Sequence, residues 1–203
     1  MPLWSLTDLD RPRCRYLFIA MRLIQAVFFS WNVQHPDEYW QSMEPAYNMV
    51  YGGVQLPWEW SKESMLRSTI YPFYLSLPLY LLKATGLDSS LAVMLCPKLA
   101  HLVLVLLCDL FMWRVGLATV GKNAARVSML LMALSTLYND VLVRCFTNSV
   151  ETTFQIVAFY YYLKAGPKFN INIVLLTASL SLSFMIRNSS PVGWPPLIAI
   201  KIF

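Results

Sequence analysis

Five residues within one short stretch carry much of the chemistry this sequence offers: His35, Asp37, Glu38, Gln41 and Glu44, in VQHPDEYWQSMEPAY (33–47). The chain has 11 Asp and Glu in all, and three of them fall here, interleaved with Tyr39 and Trp40. Pro36 suits a first helical turn, and the acidic pair after it favours a helix N-terminus. A helix starting there sets Asp37, Gln41 and Glu44 on one face by the three- and four-residue spacing. Such a face is either a solvated helix start or, because the carboxylates are mixed with Tyr39, Trp40 and Tyr47, a sugar-binding or interfacial surface.

Further groupings have suitable types at suitable spacing. LPWEWSKESMLRSTIYP (56–72) adds Trp58, Glu59, Trp60 and Arg67. Tryptophans at this density form either a belt at the lipid headgroups or a clamp for a lipid-linked substrate. Lys98, His101, Val105 and Asp109 follow at steps of three and four, so they share one helix face. Lys and Asp inside an apolar helix are costly unless paired or wet, and Asp109 is expected to pair with a neighbouring helix. His101 is expected to be packed or hydrogen-bonded rather than a metal ligand, because the chain has 2 His and no ligand spacing joins them. No metal site is expected. RCFTNSVE (144–151) sets Arg144, Asn148 and Glu151 on one face of a helix, as a plain ion pair or as a phosphate site using the planar Arg fork. Arg187 follows an apolar stretch, and Asn188-Ser189-Ser190 fits the glycosylation acceptor pattern hard against a span end. Cys14, Cys96, Cys108 and Cys145 match neither metal nor redox spacing and read as core residues.

The elements that must position these groups are apolar helices. The chain is 57% hydrophobic and only 13% charged, against roughly 25% charged in soluble domains. Stretches near the length needed to cross hydrocarbon recur at 16–33, 91–113, 124–143, 146–163 and 171–186, and a shorter one begins near Pro191. The first is a retained span rather than a signal peptide, since Arg22 interrupts it and no small-residue cleavage site comes after it. A net charge of +5 could suggest nucleic acid in a soluble protein, but here the basic residues sit at span ends and serve orientation; no nucleic-acid partner is expected. Arg11, Arg13 and Arg15 put the N-terminus in the cytosol. The piece 70–82 is short and contains Pro72 and Pro78, which suits an interfacial or re-entrant helix. If it does not cross, the basic linker around Arg114, Lys122 and Arg126 and the Lys164/Lys168 turn are both cytosolic. The loop 34–90, the stretch 144–152 and Arg187 then meet on the far face. The expected organisation is a cytosolic segment 1–15 and one all-α, polytopic membrane domain over 16–203.

HPDEYWQSMEP (35–45), LPWEWS (56–61), LRSTIYPF (66–73), PKLAHLVLVLLCD (97–109) and RCFTNSVET (144–152) together resemble the N-terminal part of the glycosylphosphatidylinositol (GPI) mannosyltransferases of glycosyltransferase family 22, and most closely the branch that adds the third mannose. The resemblance implies part of a GT-C-type fold in the endoplasmic reticulum membrane. It implies transfer of mannose from dolichyl phosphate mannose to a mannose 2-hydroxyl of a GPI precursor on the lumenal face, with inversion and without a cofactor. Its partners are then the lipid-linked donor, the glycolipid acceptor and the membrane. Asp37 is the implied base, with Glu38 and Gln41 orienting the acceptor and Arg144 or Arg187 holding the donor phosphate. His35, Trp58, Glu59, Arg67, Asn148 and Glu151 are the other implied substrate-binding residues. Alternatives within this resemblance are another lumenal dolichyl-phosphate-mannose-dependent mannosyltransferase and a non-catalytic paralogue. Family members are much longer, and NSSPVGW comes after Arg187 where they tend to continue with Pro and Thr, so the expectation is a shortened form that is inactive by itself.

Overall fold

In the computed structural model, residues 6–30, 35–64, 66–166 and 168–202 are described, and no strand occurs among them. The axis of the fold is α5, Ser90–Thr119. Ser89 starts it by accepting the Ala92 N–H on its hydroxyl, which satisfies one of the free amides of a first turn. Among the described residues this is the one helix long and apolar enough to cross a membrane; α9, Ile171–Ile186, is a shorter apolar helix.

The other helices take their depth from α5. Near its C-terminal end, Trp113 donates its indole N–H to Asp10, and Gly116 lies against α6 (Lys122–Leu134), where an added Cβ would stand 3.0 Å from the Ala125 Cβ. Further along, Asp109 meets Arg22 of α1 (Pro12–Ser30). Near its start, Lys98 meets Glu38. At 1.5 Å per residue, Lys98 and Asp109 are about 16 Å apart along the axis. Helix α8 (Thr147–Lys164) runs parallel to it, with Thr153 bonded to the Leu104 carbonyl and the Tyr160 and Tyr161 rings on Phe111. Helix α9 returns along it, joined through Gln155 and Ser183. The bundle therefore has a Glu38 end, with 35–50, 144–151 and Arg187, and a Lys122 end, with Asp8, Asp10, Arg126 and Lys164.

Helix α4 (Ile70–Thr85) packs beside only the first part of α5: Tyr71 bonds His101, Tyr74 bonds the Ala100 carbonyl, and Lys83 bonds the Val50 carbonyl. Gly86, at φ 68°, ends it in the left-handed conformation that glycine adopts without penalty. Helix α3 (Glu44–Val50) closes this corner, where Ala46, Leu75, Leu79 and Val150 form a buried core.

Several expected elements appear with their expected limits: α9 covers 171–186, α8 covers nearly all of 146–163, and α5 contains 91–113. Residues 31–33 of the first apolar stretch lie outside the described residues, as do Val33 and Gln34 of the acidic stretch. The expected continuous helix over 124–143 is corrected. It breaks at Ser135 into α6 and α7 (Thr136–Val143). Ser135 is extended and caps the Tyr138 N–H, and the Asn139 amide donates to the Ala133 carbonyl at 2.7 Å. Those two side chains satisfy backbone groups that an apolar break would leave bare.

Candidate functional site

The acidic stretch folds as one helical piece with an irregular middle: α2 (Pro36–Glu38), a π turn over Tyr39–Met43, then α3. His35 precedes it in extended conformation, its ring edge-on to Phe146 at 5.5 Å. The π turn adds a residue to the helical repeat and rotates the next turns of helix relative to Asp37. The expected common face is accordingly uneven: Asp37 is exposed, whereas Gln41 and Glu44 are half-buried.

The two adjacent carboxylates have opposite surroundings. Glu38 is wholly buried, with Lys98 Nζ at 3.4 Å, Arg144 Nη1 at 3.1 Å, and the Cys145 backbone N–H donating at 3.2 Å. Arg144 also gives its Nε to Asp140 at 2.9 Å. Charges this far from water persist only where partners surround them, and here α5 supplies one and the α7–α8 junction two. Behind this hub the Tyr71 hydroxyl donates to His101 Nδ1 at 2.9 Å, and His101 Nε2 donates to the Leu142 carbonyl at 2.9 Å, which uses both ring nitrogens. Lys98, His101, Val105 and Asp109 do share a buried face of α5.

The other candidates separate into two groups. Trp58 is exposed, and Glu59 and Arg67 form a two-point ion pair at 2.9 and 3.1 Å; Trp60 ties this loop to the acidic helix through the Trp40 carbonyl. At the α8–α9 mouth, Arg187 pairs with Glu151 at 3.3 Å and bonds Asn148. The expected shared face of Arg144, Asn148 and Glu151 is corrected: Arg144 and Phe146 are extended, with the Phe146 N–H turned back onto the Arg144 carbonyl at 2.7 Å, and α8 begins only at Thr147. Arg144 thus turns inward to Glu38 while Asn148 and Glu151 turn to Arg187. Sequence reasoning did not place Tyr71, Asp140 or the Cys145 N–H in this region. Only the cost of a lone Lys98 in an apolar helix hinted at a buried carboxylate partner. Among the described residues, no group of three or more His, Cys, Asp and Glu side chains could hold a metal ion.

Fold and site together define an all-helical chain of membrane composition, with its carboxylate and guanidinium groups gathered at one end of a spanning-length helix. The chain belongs to the Alg9-like mannosyltransferase family, which matches residues 14–203. It is 32% identical over 182 residues to the GPI alpha-1,2-mannosyltransferase 3 of Bos taurus, covering 90% of this chain and 33% of that protein. It is 40% identical over 128 residues to the GPI mannosyltransferase 3 of Trypanosoma brucei brucei, covering 62% and 20%, and 28% identical over 196 residues to the mannosyltransferase APTG1 of Arabidopsis thaliana, covering 95% and 35%. The chain thus spans about a third of the length of the Bos taurus and Arabidopsis thaliana relatives. No solved structure matches it.

Proposed function

We propose that this chain carries the base and the first helices of a GPI mannosyltransferase that adds the third, α1,2-linked mannose on the lumenal face of the endoplasmic reticulum membrane. In this reading Asp37 takes the proton from the acceptor 2-hydroxyl as that oxygen attacks C1 of dolichyl phosphate mannose. The C1–O bond to phosphate breaks on the opposite face, dolichyl phosphate departs, and the configuration inverts. A phosphate leaving group needs positive charge rather than an acid, and Arg187, 35% exposed in its side chain, is the better placed of the two candidate arginines. Buried Arg144 instead helps fix Glu38, and through it the helix that presents Asp37.

The observation that carries the proposal is the split within one dipeptide: Glu38 is locked inside by two cations while Asp37, next to it, stays open at the same end of the bundle. A base must reach substrate within hydrogen-bond distance, and only one of the pair can. Helices α1, α5, α8 and α9 and the broken pair α6–α7 cross in this reading, and α4 lies at the lumenal interface beside the part of α5 that emerges from hydrocarbon. The test is accumulation of the two-mannose intermediate in membranes whose third-mannose transfer depends on this protein. Asp37→Asn should block conversion at normal protein abundance; conversion at the unmodified rate removes Asp37 from the mechanism.

A further inference from the structure

A groove of about 200 Å³ follows the contact of α1 and α5 toward the Lys122 end, lined by Arg15, Phe18, Ile19, Leu106, Asp109 and Leu110 among others. Arg15 and Ile19 stand one turn apart, as do Leu106 and Leu110, so the lining runs along both helices. Its one acid, Asp109, is already neutralised by the two-point bond from Arg22. The charges at the start of α1 do not balance. Asp8 is held by Arg11, Lys122 and Arg126, and Asp10 by Lys122 and the Trp113 indole. Arg13 and Arg15 are exposed, and no ion pair among the described residues uses either. Arg15 Nε donates to the Leu9 carbonyl at 3.1 Å, which fixes the side chain beside the groove. The first turn of α1 holds no acidic residue, so its free amides add to the positive potential.

We propose that this groove binds an anionic glycerophospholipid of the cytosolic leaflet, with its phosphate on Arg13 and Arg15 and one acyl chain along Phe18, Ile19, Leu106 and Leu110. Guanidinium forks donate charge-assisted bonds to phosphate, and basic pockets between helices on the cytosolic side suit lipid head groups. A lipid fits better than a free anion because the lining beyond Arg15 is apolar apart from the neutralised Asp109. An anionic lipid fits better than a zwitterionic one because both nearby carboxylates already have cation partners and leave none for an ammonium group. The site does not depend on the transfer chemistry and rests only on the membrane reading.

The probes are phosphatidylserine and phosphatidylcholine with identical acyl chains, offered together to the full chain in detergent micelles, with retained lipid read by native mass spectrometry. One phosphatidylserine should be retained with at least fivefold preference, and the preference should shrink as salt is raised. Arg13→Gln with Arg15→Gln should reduce it to less than twofold, whereas Arg13→Lys with Arg15→Lys, which keeps both charges, should retain most of it. Arg11→Gln should change little, because Asp8 already takes up that charge. Leu110→Trp, which fills the groove, should weaken retention of phosphatidylserine. Glycerophosphoserine, the same head group without chains, should not displace the lipid even in large excess. Equal retention of the two lipids, retention of neither, a preference that survives the double Gln variant or is lost equally in the double Lys variant, or displacement by glycerophosphoserine overturns the site.

Discussion

Arg22 and Asp109 meet across the α1–α5 contact in a two-point bond, Nε to Oδ2 at 2.7 Å and Nη2 to Oδ1 at 2.8 Å, with both side chains buried. The Arg22 Nη1 continues to Asn139 Oδ1 at 2.5 Å, and the same Asn139 amide covers the helix break at Ser135. One charge pair thus holds the first helix, the central helix and the α6–α7 corner in register.

Removal of one partner should be severe. Asp109→Ala leaves the Arg22 guanidinium buried without its counter-charge, at a loss of about 3–5 kcal/mol, whereas Arg22→Met with Asp109→Leu should lose much less because no charge is stranded. Unfolding midpoints in detergent, or abundance in membranes, measure the difference. Equal losses for the single and double variants would show that the pair does not act as a unit.

Much of this framework was legible beforehand because it rests on period and length. The Lys98/His101/Val105/Asp109 face comes from 3.6 residues per turn, and an uninterrupted apolar run set the limits of α9. The identity of the Asp109 partner was not legible, since Arg22 lies 87 residues away in sequence and other cations were equally available by charge. The break at Ser135 hid inside a uniformly apolar stretch. Residues 144–146 leave the helix with neither glycine nor proline to signal it, which misplaced Arg144. Two neighbouring carboxylates look alike in a pattern, and only the three-dimensional partners of Glu38 distinguish it from Asp37.

The two carboxylates should respond differently to an amide. Asp37→Asn keeps the shape of an exposed side chain and should leave unfolding unchanged within a few tenths of a kcal/mol, while transfer falls roughly 10²–10⁴-fold if it is the base. Glu38→Gln leaves Lys98 and Arg144 facing a neutral group, so it should lower both stability and activity. Transfer rates compared with thermal unfolding separate the two cases. A stable, fully active Glu38→Gln protein would show the hub to be dispensable.

The N-terminal segment should confer acid sensitivity. Burial raises the Asp8 carboxyl, but Arg126 at 2.5 Å and Lys122 at 3.5 Å outweigh it and hold the group below its ordinary range. Asp10 is held low chiefly by the Trp113 indole N–H, with Lys122 adding to it. Groups depressed in the folded state contribute stability above their unfolded pKa of about 3.9 and lose it as pH falls through the lower folded value. The unfolding midpoint in detergent should therefore be flat above about pH 5 and fall below about pH 4. Asp8→Asn with Asp10→Asn should lower the plateau and flatten the descent, and an unchanged descent would assign it to other carboxylates.

The proposed arrangement in the membrane makes Lys62 and Val120 report opposite faces. Lys62 lies in the exposed loop that Trp60 ties to the acidic helix, and Val120 is 60% exposed where α5 gives way to α6. From Lys98, beside Glu38, to Val120 the helix path is about 33 Å at 1.5 Å per residue, comparable with the ~30 Å of a hydrocarbon core. Of the native cysteines, Cys14, Cys108 and Cys145 are buried and Cys96 is partly so, so a Cys96→Ser background limits unwanted labelling. In intact microsomes an impermeant thiol reagent should modify Val120→Cys at once and Lys62→Cys only after the membrane is opened. Labelling of both from the cytosolic side would mean that α4 crosses or that α5 does not. It would also remove Asp37 from the face on which a lumenal transfer takes place.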